Sequence, residues 1–144
     1  MTPEDIRLIQ TAFAQVFPQK AKFGMMFYTR LFELEPAIKG MFSTSMARQS
    51  EMLMQALALV VRGLRTDGAL PPKAMEMAAR HGRYGVTEAH YQTMGDALLW
   101  SLAETLGDAF DAPTEAAWRK AYDRLSRTMI NAAAGASPGV ELTT

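Results

Sequence analysis

Apolar residues recur along the chain at intervals of three and four, the spacing of one α-helix face, and proline and glycine divide them into segments. The first segment opens with Thr2, which can cap a helix, and Pro3, which suits the first helical position. Pro18 and Pro36 mark the next breaks, because a helix usually ends before a proline. The predicted helices cover about residues 3–17, 19–34, 36–42, 47–65, 70–81, 88–106 and 113–134.

The same pattern predicts the fold class. No segment of useful length alternates between apolar and polar residues with a period of two, so no β-sheet is expected. We predict one all-α domain over residues 1–134, with about seven helices of unequal length, unlike a regular four-helix bundle. The small and polar residues 135–144 are expected to form a disordered tail.

One of the two histidines lies on an apolar helix face. His81 follows Met77 by four residues and Ala78 by three, so its ring is expected to point inward, and Gly82 ends the helix behind it. A buried histidine of this kind can be a core residue bonded to a carbonyl or a side chain. It can also be an axial metal ligand, because neutral imidazole binds iron well. The sequence pattern alone leaves both interpretations open.

An amide lies on the apolar face of the segment 46–64. Gln49 comes three residues after Met46 and four before Leu53, so it shares their face. A buried amide must find hydrogen bonds or contact a ligand. Taken alone, Gln49 fits equally well a helix-entry residue with some access to water.

A phenol lies on the corresponding face of the second predicted helix. Tyr28 shares that face with Gly24 and Leu31. Gly24 lacks a side chain and so allows another helix to pass close, and the small Ser50 suits the crossing partner. A buried tyrosine usually needs only a local acceptor. Its functional interpretation is a hydrogen-bond donor to a ligand in a pocket.

Together these residues describe a possible pocket. One imidazole, one amide and one phenol can face a common apolar space walled by Phe, Leu, Val and Met side chains. A haem pocket has this chemistry, with one nitrogen ligand to the iron and hydrogen-bond donors on the other side. Its apolar walls exclude water and hold a large flat cofactor.

Composition and charge narrow the alternatives. Fifteen basic residues balance fifteen acidic ones, and no basic cluster marks a nucleic-acid or membrane surface, so neither partner is expected. The chain has no cysteine, which excludes disulfides, zinc–thiolate sites and iron–sulfur clusters. Residues 1–7 lack the features of a secretory signal, and the longest apolar run, 56–61, is too short to span a bilayer. We expect a cytoplasmic location.

Three stretches resemble landmarks of the globin family, in order and with plausible gaps. FYTRLFELEPAIKGMF at 27–42 resembles the end of the globin B helix and the C helix. RHGRYGVTEAHYQTMGDALLWSL at 80–102 resembles helix F through helix G, and EAAWRKAYDRL at 115–125 resembles helix H. Over residues 4–134 the chain is similar to bacterial single-domain haemoglobins and to the globin module of flavohaemoglobins. The resemblance implies the three-on-three helical sandwich of the globin fold and a haem b cofactor.

The resemblance also implies roles for individual residues. It makes His81 the proximal iron ligand and Phe42 the phenylalanine that packs on the haem face. It makes Tyr28 and Gln49 the distal residues that hydrogen-bond dioxygen, and Leu53 the apolar residue over the iron. The remaining haem-contacting positions that it implies are Val86, Tyr91 and Met94.

The resemblance leaves the alignment of the distal helix, the segment 46–64, undetermined by one helical turn, because the gap between Phe42 and that helix has no landmark. A slip would place Met46 or Met52 at the distal position, where a thioether could bind the iron. Two arginines, Arg48 and Arg83, are candidate partners of the haem propionates. His90 is expected to be a partly exposed surface histidine near the start of helix G.

Two departures from flavohaemoglobins bear on the chemistry. Nothing follows the globin segment, so the flavin and nicotinamide domains are expected to be absent. In the resembled proteins a tyrosine and a glutamate make the proximal histidine more imidazolate-like. Tyr91 aligns with that tyrosine, but the glutamate position falls at about Ala133, so an electron push toward O–O cleavage has less support.

The expected function is reversible binding of dioxygen, or of another small gas such as NO or CO, at a His81-ligated ferrous haem for oxygen binding, storage or scavenging. A nitric oxide dioxygenase that depends on a separate reductase is the alternative enzyme function. A globin-fold gas sensor or interaction module, with or without haem, is a third. The sequence does not separate an enzyme from a carrier.

Overall fold

The computed structural model describes residues 1–41, 45–64 and 87–136, and their regular secondary structure is entirely helical. Five α-helices are present in these ranges, together with short 3₁₀ helices at Phe17–Gln19, Pro36–Met41 and Gly107–Ala109. The α-helices are α1 Pro3–Val16, α2 Lys20–Leu34, α3 Met46–Arg62, α4 Glu88–Leu106 and α5 Ala112–Ala136. These bounds match the predicted helices to within two residues, except that α3 ends at Arg62, three residues before its predicted end. The predicted helix over 70–81 lies outside the described residues.

Helix α1 begins with the cap that its sequence predicts. The Thr2 hydroxyl oxygen accepts a hydrogen bond from the Asp5 backbone N–H, and the Asp5 carboxylate accepts one from the Thr2 N–H, both at 3.0 Å. Asp5 also accepts a hydrogen bond from Lys120 of α5 at 3.0 Å. The Thr2 backbone hydrogen bond and then the Lys120 ammonium lower the pKa of Asp5 to about 2. One carboxylate therefore both caps α1 and joins it to α5.

The ends of α4 also have identifiable causes. Thr87 and His90 form a reciprocal capping box at its start, in which the imidazole Nδ1 accepts a hydrogen bond from the Thr87 N–H at 3.0 Å. Gly107 ends the helix with φ of 56°, a left-handed conformation that glycine adopts without a steric penalty. Helix α5 then starts beside Asp111, whose carboxylate accepts a hydrogen bond from the Thr114 N–H at 3.0 Å.

The helices surround one main apolar core. Helix α2 packs against both α3 and α4, while α1 packs against α5. The large side chains that the core excludes almost completely from water are Ile9, Val16, Phe23, Leu31, Ile38 and Leu102. Because every described α-helix contributes to this cluster, burial of these faces rather than helix propensity holds the fold together. No helix in the described ranges is long and apolar enough to cross a membrane.

Two glycines allow helices to cross at close range. A Cβ added at Gly24 of α2 would lie 2.5 Å from the Ser50 Cβ of α3, closer than two carbon atoms can pack. This close crossing confirms the predicted partnership of Gly24 and Ser50. A Cβ added at Gly95 of α4 would lie 2.6 Å from Cε2 of Tyr122 on α5. The α2–α3 and α4–α5 crossings therefore each depend on a missing side chain.

Candidate functional site

The structure describes some of the predicted site residues and not others. Tyr28 lies on α2, Gln49 and Leu53 lie on α3, and Tyr91 and Met94 lie on α4. Phe42, His81 and Val86, together with Arg83, lie outside the described residues, so their predicted roles stay predictions. The described residues therefore include Tyr28 and the two α4 residues, but not the predicted iron ligand.

Tyr28 is deeply buried on the inner face of α2, as its spacing with Gly24 and Leu31 predicts. Only 6% of the residue is exposed, and it belongs to the main core. Its ring makes an edge-to-face contact with Phe27 at 4.9 Å between centroids and a tilted contact with Phe32 at 6.0 Å. Burial raises the pKa of the phenol to about 12, because an apolar setting disfavours the phenolate. The hydroxyl therefore keeps its proton, and its capacity to donate it in a hydrogen bond, throughout the neutral range.

The predicted distal face of α3 is half-buried. Gln49, Leu53 and Met46 have intermediate exposure, and both Met46 and Leu53 pack against the main core. Met52, one of the alternatives for the distal position, is 46% exposed and therefore points largely to solvent. The face that carries Gln49 and Leu53 borders the core that contains Tyr28. This juxtaposition gives an amide, a phenol and apolar side chains in one part of the molecule.

Tyr91 forms a second buried position, on α4. It is 4% exposed and packs with Met129 of α5 in a small cluster separate from the main core. Its hydroxyl is shielded from water and has no hydrogen-bond partner among the described residues. Burial raises its pKa to about 12. A buried unpaired hydroxyl costs free energy of folding, because it gives up its hydrogen bonds to water without gaining a replacement.

The expected loss of a carboxylate partner for Tyr91 at Ala133 stays a prediction, because the side chain of Ala133 lies outside the described part of the structure.

Tyr122 holds the backbone at Tyr91, and sequence analysis did not identify it. Its hydroxyl donates a hydrogen bond to the Tyr91 carbonyl oxygen at 2.6 Å, and its ring lies against Gly95. Burial raises the pKa of Tyr122, and the neighbouring Tyr91, Asp96 and Asp123 raise it further. The available signal was Gly95 itself, because a glycine inside a helix often marks a close approach by another group.

Met94 connects the two buried regions. It is partly buried, and it packs against both the main core with Tyr28 and the smaller cluster with Tyr91. A methionine side chain is unbranched and adapts to irregular gaps. Met94, which the resemblance predicts to contact haem, therefore lies between the cluster that contains Tyr28 and the cluster that contains Tyr91.

Two further predictions concern residues at the periphery. His90 is partly exposed, as predicted, and it also closes the capping box of α4, which sequence analysis missed. Arg48 is exposed, and its backbone N–H donates to the Ser45 hydroxyl that caps α3, at 3.2 Å. The described contacts of Arg48 involve this backbone group, so its predicted pairing with a haem propionate stays a prediction.

The residues present fit a haem better than a metal held by protein side chains alone. Within the described ranges, no three His, Cys, Asp or Glu side chains are grouped so that they could hold a metal ion. What the described residues offer is apolar surface with a few polar groups, the two phenols and the Gln49 amide. A haem needs this combination, because most of its surface is apolar and one axial ligand suffices to hold its iron. The unpaired hydroxyl of Tyr91 also fits a site that an additional group completes.

Comparison with known proteins gives a consistent result. The family model described as Globin matches residues 25–129 of the chain. A flavohemoprotein of Vibrio cholerae serotype O1 is 30% identical over 134 residues, which cover 91% of this chain and 34% of that protein. Leghemoglobin 49 of Vicia faba is 32% identical over 127 residues, which cover 81% of this chain and 87% of that protein. A flavohemoprotein of Chromobacterium violaceum is 32% identical over 107 residues, which cover 72% of this chain and 26% of that protein.

The two kinds of relative differ in how much of them the chain matches. It spans about a third or less of the two flavohemoproteins and most of the leghemoglobin. The family match over residues 25–129 includes both Tyr28 and Tyr91.

Proposed function

The chain belongs to the globin family, and we propose that it is a haem protein that binds dioxygen reversibly, with His81 as the nitrogen ligand to the iron. Bound haem b would supply a ferrous iron with one position open to a diatomic gas. Phe42 and Leu53 would hold the haem by apolar contact, and Val86 and Met94 would add to that contact. The buried phenol of Tyr28 is the observation that carries the proposal, because a donor at this position has a clear task in gas binding.

Tyr28 and Gln49 determine which gas is held most firmly. Dioxygen draws partial negative charge onto its outer atom when it binds, and the Tyr28 O–H and the Gln49 N–H can donate hydrogen bonds to it. Each such bond is worth roughly 1–3 kcal/mol in a dry site, on the order of tenfold or more in affinity. Carbon monoxide acquires less charge and gains less. The pKa of about 12 keeps the Tyr28 proton in place at neutral pH.

Absorption spectra test the proposal. We expect purified protein to show an intense Soret band in its ferric, ferrous and gas-bound forms, and His81→Ala to lose haem or show a changed axial ligation. His90→Ala is the matched control, because it removes the other histidine of the chain, which lies at the start of α4. A colourless wild-type protein that does not take up added haemin would overturn the proposal and favour a haem-free interaction module. Equal spectra for the two variants would overturn the role of His81.

A second candidate function is nitric oxide dioxygenation with a separate reductase. The similarity to flavohemoproteins supports it. In this reaction nitric oxide and dioxygen combine to form nitrate, and the partner must supply one electron per turnover. Protein, a flavin reductase and its nicotinamide donor should then consume nitric oxide in repeated turnovers with matching nitrate formation. A single turnover followed by accumulation of ferric protein would count against this candidate.

The choice of gas and the cellular location belong to the same proposal. Oxygen storage or scavenging, and sensing of NO or CO, would use the same pocket, so affinities measured for all three gases are needed to rank them. The cytoplasmic location expected from the sequence is tested by cell fractionation with an antibody to the protein.

A further inference from the structure

A groove lies between α3 and the segment that joins the end of α1 to the start of α2. One wall carries Phe17, Lys20, Ala21 and Met25, at the junction of α1 and α2 and along the start of α2. The other wall is α3, which contributes eight residues at helical spacing from Ala47 to Arg62. The volume of this outer groove is about 810 Å³. None of the described residues predicted to contact haem, Tyr28, Gln49, Leu53, Tyr91 and Met94, lines it.

The walls of the outer groove are mostly apolar and partly open to water. Phe17 is 37% exposed and Met25 is 43% exposed, although both are large apolar side chains. Met54 and Leu59 continue the apolar surface along α3. Two of these four side chains are methionines, which adjust their shape to a flexible ligand. The groove therefore offers apolar surface to a ligand that can bend.

Charge in the outer groove is unevenly distributed. The cations Lys20 and Arg62 line it, and Glu51 is the acidic residue in its lining. The Lys20 Nζ lies 4.9 Å from the centroid of the Phe17 ring. Neither cation forms an ion pair within the described residues, in contrast with Lys120, which pairs with Asp5. An anionic group can therefore bind here without displacing an existing partner.

The two charged residues of the α3 wall differ in sign. Glu51 follows Ser50 directly, and Ser50 lies against Gly24 where α2 and α3 cross. Arg62 is the last residue of α3, about 16 Å from Glu51 along the helix axis. A ligand with an anionic head is repelled from the crossing and attracted toward the Arg62 end. Its apolar part then lies along α3 toward the crossing.

The size of the outer groove favours a small molecule over a protein. Twelve of the described residues line it, whereas a standard protein interface takes about 20–30 residues on each side. Its volume falls within the range of about 300–1,000 Å³ that is usual for small-molecule sites. Seven of the twelve residues are apolar, and a few charged groups fix orientation, as in such sites.

We propose that the outer groove binds one long-chain carboxylate, a free fatty acid. The acyl chain contacts Phe17, Met25 and the apolar stripe of α3, and the carboxylate pairs with Arg62. Arg62 suits this role because its guanidinium can bind both carboxylate oxygens at once. The site does not depend on haem binding, so its test and the test of the proposed function fail separately.

Calorimetric titration of the purified, haem-loaded protein with monomeric laurate tests the proposal. We expect saturable binding with one site per chain. Arg62→Glu should weaken it by on the order of tenfold or more, because the attraction becomes repulsion. Arg124→Glu is the matched control: Arg124 is exposed on α5 and lies outside the groove. Equal affinities for the two variants would overturn the proposal.

A second variant tests the apolar part of the outer groove. Ala21 is exposed and lines the groove, so Ala21→Trp should fill it and abolish laurate binding. Ala103→Trp places the same side chain at an exposed position of α4 and should leave binding unchanged. Thermal melts establish that both variants fold. If Ala21→Trp binds laurate as the wild type does, the site lies elsewhere and the proposal fails.

Three further measurements separate the fatty acid from other occupants. A dodecyl trimethylammonium ion has the same apolar chain with the opposite charge, and equal affinity for it would overturn the carboxylate assignment. A laurate-induced shift of the Soret band that survives in Ala21→Trp would place the ligand in the haem pocket instead. Binding to anionic lipid vesicles without any binding of monomeric laurate would indicate a membrane surface and would likewise overturn the proposal.

Discussion

Tyr28 and Tyr91 have almost the same burial and the same raised pKa, of about 12, but they occupy different environments. Tyr28 lies within the main core and contacts two aromatic rings. Tyr91 lies in a small cluster with Met129, and its hydroxyl has no partner among the described residues. Burial and pKa therefore do not distinguish the roles of two phenols. The side chains around each ring do differ, and the proposed role in gas binding falls on Tyr28, the phenol in the main core.

The helix crossings beneath the two tyrosines provide the largest expected effects. Gly24→Ala forces a Cβ against Ser50 on the Tyr28 side, and Gly95→Ala forces one against the Tyr122 ring on the Tyr91 side. Each should lower the free energy of unfolding by about 1–3 kcal/mol, the usual cost of overpacking. Urea denaturation measures the change. Gly40→Ala is the control, because a Cβ there meets nothing within 4 Å. Losses no larger than that of the control would contradict both close crossings.

Gas release should separate the two phenols directly. Tyr28→Phe removes the proposed donor to dioxygen and should raise its dissociation rate by on the order of tenfold or more. Tyr91→Phe should change that rate by no more than about twofold, because its hydroxyl belongs to a different cluster. Stopped-flow displacement of dioxygen by carbon monoxide provides the rates. If both substitutions accelerate release equally, the assignment of the distal side to Tyr28 is wrong.

Substitution of Tyr91 and of Tyr122 by phenylalanine should change the free energy of unfolding of the haem-free protein in opposite directions. Tyr122→Phe removes the hydrogen bond to the Tyr91 carbonyl oxygen and should cost about 1 kcal/mol. Tyr91→Phe removes a buried hydroxyl that lacks a partner and should stabilise the fold by up to about 1 kcal/mol. Chemical denaturation of the two variants in parallel gives the sign of each effect. A loss of stability in Tyr91→Phe would show that its hydroxyl is paired in solution.

The smallest effect appears only in alkali. The pKa values of Tyr28 and Tyr91 are raised in the folded protein from about 10 in the unfolded chain. Their stabilising contribution is thus complete below about pH 10 and is lost as pH rises toward about 12, because the unfolded chain releases its protons first. Circular dichroism against pH should show unfolding in this window, shifted to higher pH in Tyr28→Phe. An identical midpoint in that variant would refute the contribution of Tyr28.

Helix bounds were predictable because their causes are local. Thr2 and Pro3 start α1, and Pro36 follows the end of α2, as the sequence indicates. The crossing of Gly24 with Ser50 was also predictable, since small residues on facing helices permit close approach. These features need only neighbouring residues or one pair of faces.

The interactions around Tyr91 were not predictable in the same way. The bond from Tyr122 joins residues on different helices, and nothing in either local sequence specifies it. The use of His90 as a helix cap was missed because a histidine is not a usual partner in a capping box. The roles of His81 and Phe42 rest on resemblance to globins and remain predictions, because these residues lie outside the described ranges.

Met94 has a mechanical consequence for both tyrosines. Its thioether side chain contacts both hydrophobic clusters, so a displacement of one must be absorbed by rotation of this chain or passed to the other. Oxidation of its sulfur to a sulfoxide would insert a polar oxygen between the clusters and loosen both at once. A single oxidant-sensitive atom thus lies between the surroundings of the two phenols.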